Sequence, residues 1–132
     1  STSCAVFVAV LALSGVVPFH WPLTPATHHL IDRAALAQMK STAVLINTAR
    51  GPLVDESALI ECLSRGGIFA AGLDVYEHEP KVPTELMALG NVVLAPHLGA
   101  ATRHARHAVG MRVIANIEDF LSPGSPGDEV TA

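Results

Sequence analysis

Three apolar runs, residues 43–46, 68–73 and 92–95, each end abruptly in a polar motif, and nothing else in the chain constrains its fold as tightly. The first run leads into Asn47-Thr48-Ala49-Arg50-Gly51, the second into Asp74 through Pro80, and the third into Pro96-His97-Leu98-Gly99. Short continuous apolar runs bounded by turn residues read as strands of a buried parallel sheet. Between them lie segments with helical spacing. Asp32 can cap a short helix to about Met39, and Asp55 can cap one carrying Ala58, Leu59, Cys62 and Leu63 on its inner stripe before Gly66-Gly67 stops it. Thr102 can cap the last helix, whose apolar positions Ala105, Val109, Val113, Ile117 and Phe120 recur every three or four residues. Residues 76–90 read as a polar loop with one turn near 85–88. Strands alternating with helices at these lengths define βαβ units and an α/β fold with a parallel sheet.

Composition narrows the partners. Half of the 132 residues are hydrophobic and 15% are charged, enough for a core. The net charge of −4 and the lack of a basic cluster argue against nucleic acid. Cys4 and Cys62 lack the paired spacing of a zinc or redox motif and read as two reduced core thiols of a cytoplasmic protein. His104 and His107 sit three apart on the last helix, but no third ligand is spaced to join them, so no metal is expected there.

The start of the chain is unusual. Residues 4–19 are nearly all apolar, yet they carry no basic leader and fall short of the roughly 20 residues that span a bilayer. A buried helix or strand pair is the expectation, with no membrane partner. Trp21-Pro22-Leu23-Thr24-Pro25 reads as a loop.

The strand-end motifs gather a cation, carboxylates and an imidazole where an open parallel sheet places its ligand crevice. Arginine presents a planar fork that fits a carboxylate bidentately, and an imidazole can move a proton near neutrality. That set suits chemistry on a small carboxylic acid. Taken singly, each residue has a plainer reading: a surface ion pair for Arg50, a helix-capping turn for His97, a loop cap for Asp74. The three motifs in order are what favour a site. Glu77 is expected to be a solvated surface residue.

In these motifs residues 16–121 resemble the C-terminal half of the nucleotide-binding domain of the D-isomer-specific 2-hydroxyacid dehydrogenases. The wording Asn47-Thr48-Ala49-Arg50-Gly51-Pro52-Leu53-Val54-Asp55 and Asp74-Val75-Tyr76-Glu77-His78-Glu79-Pro80 is most similar to the glyoxylate/hydroxypyruvate and 2-ketogluconate reductase branch. The resemblance implies a partial Rossmann-like doubly wound sheet and hydride transfer from NAD or NADP to a small 2-oxo acid, in a parent protein that forms a homodimer. It implies that Arg50 grips the substrate carboxylate, that His97 is the acid/base and also faces substrate and cofactor, and that Glu79 pairs with His97. Asp74 would contact the nicotinamide carboxamide, while Thr27, Thr48 and Gly99 would line the cofactor.

Departures accompany the likeness. No Gly-x-Gly-x-x-Gly phosphate-binding turn occurs, nor a residue to choose between NAD and NADP. Residues 1–15 read as a divergent or truncated apolar start, and residues 122–132 as a flexible tail. Ala100 stands where the branch usually has serine, whereas Arg106 matches it. Half of a doubly wound sheet would leave a strand edge and a helix-packing face bare, so the chain alone is expected neither to bind dinucleotide tightly nor to turn over. The same resemblance includes non-catalytic dinucleotide-sensing corepressors, which is the alternative function.

Overall fold

The computed structural model describes residues 2–122 together with Gly127 and Asp128. The chain divides into two units, Ser1–His97 and Leu98–Ala132. In the first unit four strands, β1 (Val16–Phe19), β2 (Val44–Asn47), β3 (Ala70–Leu73) and β4 (Val92–Leu94), form one sheet in chain order, every pair parallel. Helices α1 (Thr2–Leu13), α2 (Arg33–Gln38), α3 (Glu56–Ser64) and α4 (Thr84–Met87) alternate with the strands.

The helices start where the caps demand. The Asp32 carboxylate accepts the Ala35 N–H at 2.8 Å, and Asp55 accepts that of Ala58 at 2.9 Å. Each satisfies a backbone donor that the first helical turn leaves open. α3 ends at Gly66, whose φ of 67° is the left-handed geometry that glycine adopts without steric cost.

Burial alternates along the strands. Val17, Phe19, Leu45, Asn47, Ala71 and Leu73 are buried on one face, where they join Ala35, Leu36, Leu59 and Leu63 of α2 and α3 in the core. The opposite face is open at both edges, with Val16, Pro18 and Val93 exposed, and half-buried at Val44, Ile46 and Gly72. The apolar runs suggest strands covered on both sides, whereas one face of this sheet is closed by the described helices.

The opening segment is a helix, as expected, but its described side chains are buried only in part. Leu11 is the anchor of α1 in the core, but Val6, Val8, Val10 and Leu13 are exposed. An apolar side chain all round a helix cannot be covered by a partner on one side only. Of the two cysteines, Cys62 is a free thiol in the core, and burial pushes its pKa up, which suppresses the reactive thiolate.

The second unit contains α5 (Arg103–Leu121), capped by the Thr102 hydroxyl accepting from the Ala105 N–H at 3.1 Å. The apolar positions Ala105, Val109, Val113, Ile117 and Phe120 recur along it at the expected helical spacing. In the structure none of its residues is buried, and Phe120 is 73% exposed. Arg112 Nη2 donates to Asp128 Oδ1 at 2.7 Å and Asn116 Nδ2 to Asp128 Oδ2 at 3.0 Å, and this network holds the Asp128 carboxyl down to about 2. The flexible tail expected over residues 122–132 lies largely outside the described residues. No helix among the described residues is long and apolar enough to cross a membrane.

Candidate active site

Strand register decides which residues meet. Phe19, Asn47, Leu73 and Leu94 lie in one row across the sheet, so the segments that follow them leave from the same carboxyl edge. Those segments carry His20 and Trp21, then Thr48 to Arg50, then Asp74 to Glu79, then Pro96 and His97. In a parallel sheet this edge is the ligand side.

Two of the expected catalytic residues are in direct contact. His97 Nδ1 lies 2.8 Å from Glu79 Oε2, and the other carboxylate oxygen accepts the Tyr76 N–H at 3.0 Å. The hydrogen bond from His97, then that from Tyr76, hold the Glu79 pKa below its ordinary value, with the nearby Arg50 charge acting in the same direction. Glu79 therefore stays ionised and fixes the imidazole by one ring nitrogen, leaving Nε2 as the atom available to a substrate. His97 adopts a φ of 55°, left-handed geometry for a residue with a side chain. Such geometry persists only where surrounding contacts impose it.

Glu79 and His97 line a hollow of 390 Å³ with Tyr76, Leu94, Ala95 and Pro96. Arg50 stands outside that lining. Its Nη1 donates to the Ala49 carbonyl at 2.7 Å, and its link to the pair is electrostatic. Thr48 is exposed and Asp74 is buried, with the Asp74 N–H donating to the Asn47 carbonyl at 3.0 Å. Thr27 faces a different space, an apolar cleft of 1040 Å³ lined also by Phe7, Phe19, His20 and Trp21. There its hydroxyl accepts the Thr24 N–H and donates to the Pro22 carbonyl, both at 2.8 Å, which closes the proline loop on itself. Gly99 belongs to the second unit, where it is exposed.

Other residues build the site without having been singled out. Asn47, 1% exposed, accepts the Ala49 N–H at 3.1 Å and donates to the Arg50 carbonyl at 2.9 Å, so it shapes the turn that presents the guanidinium. Its signal was its place as the one polar residue closing a strand. The Tyr76 hydroxyl donates to the Ala95 carbonyl at 2.8 Å and ties the Glu79 segment to the approach to His97. Burial, chiefly, raises its pKa, so the phenol stays a neutral donor. Gly51 packs so close to the Tyr76 carbonyl that a Cβ would come within 1.9 Å of its oxygen.

Glu77 corrects the expectation made for it. It is not a solvated surface residue: its side chain is 17% exposed, Oε1 lies 2.7 Å from His29 Nε2, and Oε2 accepts the Glu56 N–H at 3.3 Å. The partners lie 48 and 21 positions away, beyond any local pattern.

The donor set suits the nicotinamide end of a dinucleotide. A carboxylate at Asp74 and a hydroxyl at Thr48 stand at the same edge as the acid/base pair, and a carboxylate can accept from a carboxamide. No glycine-rich phosphate turn is present to hold a pyrophosphate.

A four-stranded parallel sheet with helical crossovers and an ionic site at its carboxyl edge defines the Rossmann-type α/β class. Residues 2–99 match the model of the D-isomer specific 2-hydroxyacid dehydrogenase NAD binding domain, and the chain belongs to that family. It is 50% identical over 109 residues to glyoxylate/hydroxypyruvate reductase B of Erwinia tasmaniensis, covering 82% of this chain and 34% of that protein. To the glyoxylate reductase of Thermococcus litoralis it is 47% identical over 120 residues, covering 91% and 36% respectively. The crystal structure of an NADPH-dependent glyoxylate/hydroxypyruvate reductase from Sinorhizobium meliloti, in complex with NADP and malonate, superposes with a TM-score of 0.89 at 34% identity, covering 95% of this chain and 39% of that one. The chain thus spans little more than a third of the length of such relatives.

Proposed function

We propose that this chain is the catalytic part of an NAD(P)-dependent reductase of small 2-oxo acids, of the glyoxylate or hydroxypyruvate kind, acting in the cytoplasm as a homodimer when the whole protein is assembled. The observation that carries this reading is the 2.8 Å pairing of His97 with Glu79 at the carboxyl edge that also presents Arg50. The bound nicotinamide would supply a hydride to the carbonyl carbon. Arg50 grips the substrate carboxylate and so aligns the adjacent carbonyl, a positioning task for which lysine lacks the fork geometry. His97 donates the proton to the carbonyl oxygen from Nε2, and Glu79 holds the ring and favours its charged form. Asp74 receives the carboxamide, with Thr27 and Thr48 along the cofactor. The whole-protein relatives, named as reductases of these acids, support this substrate class.

The test is a chimaera in which residues 16–121 replace the matching segment of the Erwinia tasmaniensis reductase. Oxidation of NADPH is then followed with glyoxylate and hydroxypyruvate. Turnover that falls about 10²-fold or more in Arg50→Ala and His97→Ala is the expected result. A folded chimaera that binds NADPH without turnover would instead support the dinucleotide-sensing alternative. For the isolated chain, NADH and NADPH should leave the melting temperature unchanged, because no phosphate turn is present to give tight binding.

A further inference from the structure

We propose that His28, His29 and Glu77 form a binding site for a divalent metal ion of the zinc class. One ligand atom from each lies within 4.8 Å of the others. The two rings stack with centroids 4.0 Å apart and planes inclined by 29°. Here His29 takes a φ of 50°, with its N–H bound to the Pro52 carbonyl at 2.8 Å. That left-handed geometry is the kind of outlier that collects at ligand clamps.

The chemistry of the set fits the ion. Two imidazoles and one carboxylate are borderline-soft nitrogen and oxygen donors, and zinc takes three such protein ligands with water in the fourth position. His29 and Glu77 are already oriented toward each other at 2.7 Å. Tetrahedral zinc separates its ligand atoms by roughly 3.3 Å, from bond lengths of about 2.0–2.2 Å. His28 is exposed, and a turn of its ring out of the stack closes the remaining gap and leaves the fourth position to water.

The surroundings also favour a cation. Glu56 is nearly buried beside Glu77: each residue's N–H donates to the other's carboxylate, at 3.3 and 3.4 Å. Two carboxylates in one partly desolvated place repel, and a divalent ion offsets that repulsion. Such an ion would pin the loop after β1 to the segment after β3. It uses none of Arg50, Glu79 and His97.

Cobalt(II), whose visible absorption reports tetrahedral coordination, is the probe, added to the full chain, with zinc then displacing it. One cobalt per chain with tetrahedral bands is expected. His28→Ala should weaken binding by more than the about 10–100-fold typical of losing a mere supporting residue, and Glu77→Gln likewise. His104→Ala/His107→Ala should leave binding unchanged. His28 is exposed, so His28→Ala decides the matter even if Glu77→Gln fails to fold. Absence of the bands at millimolar cobalt, or binding indifferent to His28→Ala, overturns the proposal.

Discussion

Glu79 accepts two hydrogen bonds, from His97 and from the Tyr76 backbone, and its charge is thereby favoured in the folded chain. Its folded pKa lies below the ordinary 4.5, so the stability it contributes is present above pH ~4.5 and fades as pH falls through the lower folded value. Glu79→Gln should therefore flatten the acid side of the stability curve, read by urea unfolding between about pH 3 and 6. An unchanged acid slope would show that the pairing contributes nothing to the fold. Glu56 acts in the opposite sense. Burial, above all, raises its pKa, so it favours the folded chain below pH ~4.5 and that contribution is lost as pH rises through its folded value. The contrast also marks what residue patterns can tell. The contact of Glu79 with His97 was legible because each sits in a dense local motif at a strand end, whereas Arg50 stands outside the hollow they line. The His29–Glu77 pair was not, since nothing near either residue advertises the other.

The elements that position the site depend on two loops touching. The turn at Arg50-Gly51 leans on Tyr76, and the absent side chain of Gly51 permits that approach. Gly51→Ala would push the Tyr76 carbonyl aside and with it the Glu79 segment. The expected cost is about 1–3 kcal/mol of stability, as for overpacking generally, measured as a fall in urea midpoint with little change in slope. Strands and caps were largely legible, because apolar runs and Asp32, Asp55 and Thr102 are local signals. Boundaries moved by one or two residues, with Asn47 drawn into β2 and Ile68 left before β3 although fully buried. Coverage was not legible. A periodic apolar stripe states which face of α5 avoids water, and says nothing of whether anything lies against it.

For the whole molecule, the apolar surface on α1 and on the open face of the sheet is the dominant feature. Large exposed apolar patches bind other apolar surfaces. Trp21, the sole tryptophan, lines the apolar cleft with its ring 5.6 Å from that of Phe7 and 6.4 Å from that of Phe19, so it reports occupancy there. A dye with an apolar aromatic body, such as the anion anilinonaphthalene sulfonate, should quench or shift Trp21 emission, and Val10→Glu, at the cleft wall, should weaken dye binding several-fold. Dye affinity indifferent to that charge would place the sticky surface elsewhere.

Neighbours in space along the sheet are also neighbours in order of synthesis, β1 beside β2, β2 beside β3, β3 beside β4. Each new strand can dock on an edge completed a few dozen residues earlier, without waiting for a distant one. Growth on the ribosome should accordingly be stepwise, with amides of β1 and β2 shielded from hydrogen exchange in nascent chains long enough for β3, but not β4, to have emerged. Protection that arrived everywhere at once, only after β4 had emerged, would contradict this directional assembly.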